Sequence, residues 1–256
     1  MPATATNVAA SFSNIASTTS LGLGSLALAG GGRYLLSIAY QNTALAVAPT
    51  VTIAQPGATW TEVAADTFSN GERRALRVFQ ATPADNVAAA AITATFTGAT
   101  AGGGTAWVVD RLHSTGTALQ TVNATASSTT AAAALGAGAA TDLTYFIAAC
   151  QATSTWTPGA GITELGDVGN GAVGLFTGYG SPYTTSPSAT RVLGAQIWTA
   201  FALRFPEGVE TPPPEPTGPQ VLVRNGADTG WTPGQLIVRN IAGTGWITDA
   251  QIVPGS

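Results

Sequence analysis

The chain has 256 residues and a net charge of −4, and only 9% of its residues are charged, against roughly 25% in an ordinary globular protein. All nine basic residues are Arg, with one His and one Cys beside them. That inventory excludes a disulfide framework and a zinc centre, and an acidic excess with no basic run longer than Arg73-Arg74 excludes a basic nucleic-acid binder. With 45% hydrophobic residues, the composition is the reverse of a disordered chain.

Strand signals run the length of the main body. Alternating or β-branched stretches fall at 20–29, 34–40, 50–53, 59–64, 76–80, 92–97, 105–112, 118–126, 143–150, 173–178, 190–193 and 197–205. Gly, Pro, Asn and Ser/Thr clusters separate them at the spacing of a β-sandwich. No apolar stripe repeats at helical spacing, and Gly136 and Gly138 interrupt the Ala-rich stretch 131–140. The first basic residue, Arg33, lies downstream of the apolar stretch 21–29, the wrong order for a cleaved signal. The uncharged stretch 114–141 is too rich in Thr, Ser and Gly to insert in a membrane.

Two related halves are visible, at about 33–112 and 143–205. Ala39-Tyr40-Gln41-Asn42-Thr43 is echoed by Ala149-Cys150-Gln151-Ala152-Thr153. Thr61-Glu62-Val63, followed by Ala75-Leu76-Arg77-Val78-Phe79, is echoed by Thr163-Glu164-Leu165, followed by Ala172-Val173-Gly174-Leu175-Phe176. The expected architecture is one jelly-roll-like antiparallel sandwich over 1–206, each half supplying about four strands as a Greek key. Residues 207–219, with Pro212-Pro213-Pro214 and three Glu, read as a semi-rigid spacer. Beyond it, within 220–256, Val223-Arg224-Asn225 to Trp231 recurs as Val238-Arg239-Asn240 to Trp246, each a strand, a small-residue turn and a strand. Hairpins this small need a neighbour to dock on.

Catalytic chemistry has little to work with. His113 follows Asp110 and Arg111 at a strand end, with no G-x-S-x-G nucleophile elbow anywhere. Cys150 sits in an apolar run and reads as a small buried hydrophobe. Residues 169–174 fit G-x-G-x-x-G literally, but a strand follows where dinucleotide binding needs a helix. Glu62 and Glu164 occupy matching places in the two halves, which makes them structural echoes. No enzymatic activity, cofactor or metal is expected. Trp107 and Trp198 lie in apolar strands and are expected in the core. Trp231 and Trp246, with Arg224 and Arg239, are the expected interaction residues, being in hairpins too small to bury them. Trp60 and Trp156, both in Thr-Trp-Thr, are expected to face outward as candidate glycan contacts.

The hairpin repeats, hydrophobic-Val-Arg-Asn followed by a small turn and Gly-Trp, resemble terminal repeats of virion structural proteins of tailed bacteriophages. The Thr/Ala/Gly-rich sandwich, with turns such as Trp60-Thr61-Glu62-Val63, is similar to jelly-roll domains of phage particles. That resemblance implies location in the virion, as a capsid decoration or head-fibre subunit or a tail-associated one. It implies other virion subunits as partners and a homo-oligomeric state. The alternative function is a host-recognition module for cell-surface polysaccharide.

Overall fold

The computed structural model describes residues 4–13, 17–42, 49–68, 73–101, 104–114, 118, 120–151, 155–169 and 171–206, and beyond these 223–224, 231–232, 237–239 and 246–248. Met1–Val209 form one compact unit and Glu210–Ser256 another. Every regular element among the described residues is a strand. The 207–219 spacer lies outside the described residues.

The first unit contains the same eight-strand pattern twice. Its first copy comprises β1 (Thr4–Ser13), β2 (Ser17–Leu28), β3 (Arg33–Asn42), β4 (Val51–Ala54), β5 (Thr61–Phe68), β6 (Arg73–Ala81), β7 (Val87–Ala101) and β8 (Thr105–His113). The second comprises β9 (Gln120–Ser128), β10 (Thr130–Ala132), β11 (Leu143–Gln151), β12 (Trp156–Pro158), β13 (Thr163–Gly169), β14 (Val173–Gly180), β15 (Ser188–Arg191) and β16 (Gln196–Phe205). The first copy builds a five-stranded sheet in the order β1-β8-β3-β6-β5 and a three-stranded sheet β2-β7-β4. The second builds β9-β16-β11-β14-β13 and β10-β15-β12, the same orders moved along by eight strands. Within each copy the first strand pairs with the eighth, the second with the seventh and the third with the sixth, all antiparallel. That nesting is the strand order of a jelly roll.

Register extends the correspondence to single residues. Arg33 opposes Leu112 and Tyr34 opposes Arg111 in the first copy, as Leu143 opposes Phe205 and Thr144 opposes Arg204 in the second. The ladder between β5 and β6 slips between Glu62 and Ala64, and that between β13 and β14 slips between Glu164 and Gly166. The echoed Thr-Glu-Val and Thr-Glu-Leu motifs are thus one β-bulge used twice. The expectation of a single roll made of two four-strand halves is corrected here. Each half is a whole roll, because 4–32 and 120–142 add two further strands to the front of each apparent repeat.

The two rolls stack through their five-stranded sheets. β1 and β8 lie over β13, while β5 lies over β9 and β16. The first strand of each roll therefore meets the fifth of the other, a reciprocal arrangement like that of a two-fold dimer, here within one chain. Three apolar layers result. Leu35, Ala39, Leu76, Val108 and Leu112 meet Tyr145, Ile147, Leu175, Phe201 and Phe205 between the rolls. Tyr34, Leu36, Ile38, Tyr40, Phe79 and Phe96 fill the first roll, and Phe146, Trp156, Phe176 and Trp198 the second. Central strands are consequently buried on both faces, which is why β3 and β11 carry continuous apolar runs in place of alternation.

Among the described residues the second unit holds two antiparallel strand pairs, β17 (Val223–Arg224) with β18 (Trp231–Thr232) and β19 (Ile237–Arg239) with β20 (Trp246–Thr248). Arg224 is paired with Trp231 and Arg239 with Trp246, so the two repeats share one register.

Candidate functional site

The hairpin register places an Arg directly opposite a Trp in both repeats of the second unit, among Arg224, Trp231, Arg239 and Trp246.

Trp60 and Trp156 do not face outward, and that expectation is corrected. Trp60 is 9% exposed and Trp156 only 2%. Trp60 ends the turn before β5 and packs in the first roll, its indole N–H donating to Gln55 Oε1 at 3.1 Å. Trp156 opens β12 and lies 6.1 Å from the Phe176 ring inside the second roll. Its place is held by Arg191, stacked at 5.9 Å, and by its own backbone N–H, which donates to Asp167 Oδ2 at 2.9 Å. Flanking threonines suggest a solvated strand, yet each Trp stands at the border of a sheet where the side chain turns into the layer beneath. Trp107 and Trp198 are core residues.

The residues weighed for chemistry stay apart. His113 is the exposed last residue of β8. Cys150 is buried in the second roll, and burial pushes its thiol up to about 11, far from a nucleophilic thiolate at neutral pH. Glu62 pairs with Arg77 at 2.7 Å on β5, whereas Glu164 lies on β13, an edge strand over the opposite side of the stack. Of the glycines in 169–174, Gly169 and Gly174 oppose each other in the ladder of β13 and β14, and Gly171 lies between the strands at φ +85°. Among the described residues no cluster of three or more His, Cys, Asp or Glu is positioned to hold a metal ion.

What the fold presents outward is edges and apolar points. β1 and β9 are edge strands of the large sheets and β2 is an edge of a small one, and none of the three carries a charged residue. Natural edges are normally guarded by charge or Pro. β5 and β13, the opposite edges, follow that practice with Glu62, Asp66, Glu164 and Asp167. On β1, Phe12 is 51% exposed. The loop after β15 holds Val192 and Leu193, both more than 60% exposed.

A second polar feature, invisible in the sequence, joins the rolls. Asp110 of β8 is fully buried; its Oδ2 accepts from the Tyr145 hydroxyl at 2.6 Å and its Oδ1 from Asn7 Nδ2 at 2.9 Å. Burial pushes the Asp110 carboxyl up to about 6, against the lowering pull of the Tyr145 and Asn7 hydrogen bonds. Asp167, half-buried, is likewise raised to about 6 by burial, against its bond from the Trp156 backbone. For an acid whose native pKa is raised, the native state binds more protons than the unfolded one between the two pKa values. The contribution of these two carboxyls to stability is therefore greatest below pH 3.8 and declines as pH rises to about 6. Asp110 alone accounts for on the order of 3 kcal/mol of that decline, and solvent-screened Asp167 adds less. Denaturant melts of 1–209 at pH 4.5 and pH 7 should show this fall, and Asp110→Asn should remove most of it; a flat profile contradicts the assignment.

No protein-family model, no characterised protein and no solved structure matches this chain.

Proposed function

We propose that the chain is a structural subunit of a tailed-phage virion, a capsid decoration, head-fibre or tail-associated protein that binds neighbouring virion subunits and copies of itself. The observation that carries this reading is the set of uncharged edge strands, β1, β2 and β9, on a tandem roll whose exposed apolar points Phe12, Val192 and Leu193 suit cover by neighbours. The hairpin repeats add a second contact module, with Arg224, Trp231, Arg239 and Trp246 as its expected contact residues, since Trp and Arg dominate the energetics of most interfaces. The glycan-recognition alternative, as first framed, leaned on outward indoles at 60 and 156, and both are buried.

Deletion of 220–256 tests the reading. The shortened protein should fold, since Met1–Val209 is compact by itself, yet fail to enter particles when it replaces the full chain. Particles that carry the shortened protein at full occupancy contradict the reading of the hairpins as a contact module.

A further inference from the structure

Among the described residues, eight strands of the first unit are sheet edges. Shortness, charge, Pro and bulges are the usual means of keeping a stray strand off an edge. β4, β10 and β12 are four residues long or fewer, and β12 ends on Pro158. β5 and β13 carry two carboxylates each, and the ladder of each slips once. The ladder of β2 with β7 slips three times, and that of β1 with β8 slips between Asn7 and Ala9. β9 has none of these guards. Its nine residues, Gln120–Ser128, hold no charge and no Pro, and they oppose β16 from Arg204 to Gln196 without a slip. Its equivalent in the first roll, β1, is interrupted where β9 runs on.

An edge strand turns a row of N–H and C=O groups outward, and β9 pairs with β16 alone. Thr121, Asn123, Thr125, Ala126 and Ser127 are exposed along it. The order of its side chains reads the same in both directions from Ala124. Asn123 mirrors Thr125, Val122 mirrors Ala126, Thr121 mirrors Ser127 and Gln120 mirrors Ser128. Antiparallel pairing of such a strand with itself, about a two-fold axis at Ala124, sets polar against polar and apolar against apolar. A charge near that axis would stand beside its own copy, so the absence of charge is what self-pairing requires. Val122 and Ala124 also pack against the interior of the second roll, and a strand added here extends that apolar layer.

We infer that β9 pairs antiparallel with β9 of a second copy of the chain, joining two five-stranded sheets into one of ten strands. The self-matching order selects a second copy over a strand of another protein. Head-to-tail pairing of β9 with β1 of the next copy, which would build an open filament, is opposed by the slip in β1. This pairing rests on the self-association in the proposed function, and gives it a strand and a register.

Light scattering and sedimentation of the full chain test it with two double variants at Thr121 and Ser127, exposed residues that face each other across the axis in this register. The native chain should show twice the mass of a single chain. Thr121→Lys with Ser127→Lys sets Lys against Lys twice, and should raise the dissociation constant at least about tenfold. Thr121→Lys with Ser127→Glu introduces as many charges but sets Lys against Glu. It should return to within about threefold of the native chain, a recovery that an unfolded variant could not give. A native chain that stays single, a Lys/Lys variant that keeps the native mass, a Lys/Glu variant no better than Lys/Lys, or an open series of larger species would each overturn the inference. Chains found in particles with β9 unpaired would strike this pairing alone, whereas a β9 dimer that never enters particles would strike the proposed function alone.

Discussion

Phe205→Ala is expected to lower the unfolding free energy of Met1–Val209 by about 3–5 kcal/mol, the usual cost of truncating a buried Phe, and to shift a single cooperative transition. Phe205 ends β16 in the second roll, is fully buried, and packs in the layer between the two large sheets. The Arg33 guanidinium of the first roll lies 5.0 Å from its ring centroid, and burial holds the Arg33 pKa below its ordinary value. Removing the ring strips a desolvated cation of its aromatic partner, a loss of about 2 kcal/mol in such settings, which places the expected cost at the upper end. Because the layer belongs to both rolls, they should melt together. Scanning calorimetry decides the matter: one transition displaced to lower temperature agrees, whereas two transitions with only one displaced would mean that the rolls are independent.

Tyr145→Phe carries the next largest expected effect, about 1.5–3 kcal/mol at pH 7, as for a lost hydrogen bond to a charged group. The substitution leaves the ring in place and removes the 2.6 Å bond to buried Asp110. Internal symmetry indicates how to restore the loss. The positions equivalent to Tyr145 and Asp110 are occupied in the opposite rolls by Leu35 and Leu203, since Leu35 opposes Asp110 and Tyr145 opposes Leu203 in their ladders. Asp110→Leu alone strands the Tyr145 hydroxyl. The double replacement Asp110→Leu with Tyr145→Phe should return to within about 1 kcal/mol of the native chain, because exchanging a buried polar pair for apolar groups is often neutral. Denaturant melts of the four proteins give the coupling directly; additive losses would show that the pair does not act as a unit.

How much of this was legible depended on what each segment faces. The all-β class followed from β-branched runs and turn residues, and the repeat from Thr61-Glu62-Val63 against Thr163-Glu164-Leu165, which prove to carry a shared bulge. The doubling into two whole rolls was not legible, because the strands that complete them have weak signatures. Thr4–Ser13 holds only Val8 and Phe12 as large hydrophobes, and both stand exposed on an edge. Thr130–Ala132 and Trp156–Pro158 are three residues each. One clue was present: 143–150 is apolar on both alternating faces, which a two-layer sandwich open to solvent on its outer side does not require and a stack of sheets does. Trp60 and Trp156 misled because threonine neighbours report only the outward positions of a strand, while the indole takes the inward one.

The role of the chain as a shared building block is tested most directly by quantitative mass spectrometry of gradient-purified phage particles from a culture that produces it. The account predicts the intact chain in a fixed whole-number ratio to the major shell or tail protein, retained through high-salt washing as an interface with few charges should be. Particles that are infectious and complete while lacking the chain, with the protein found only free in the lysate, would contradict it.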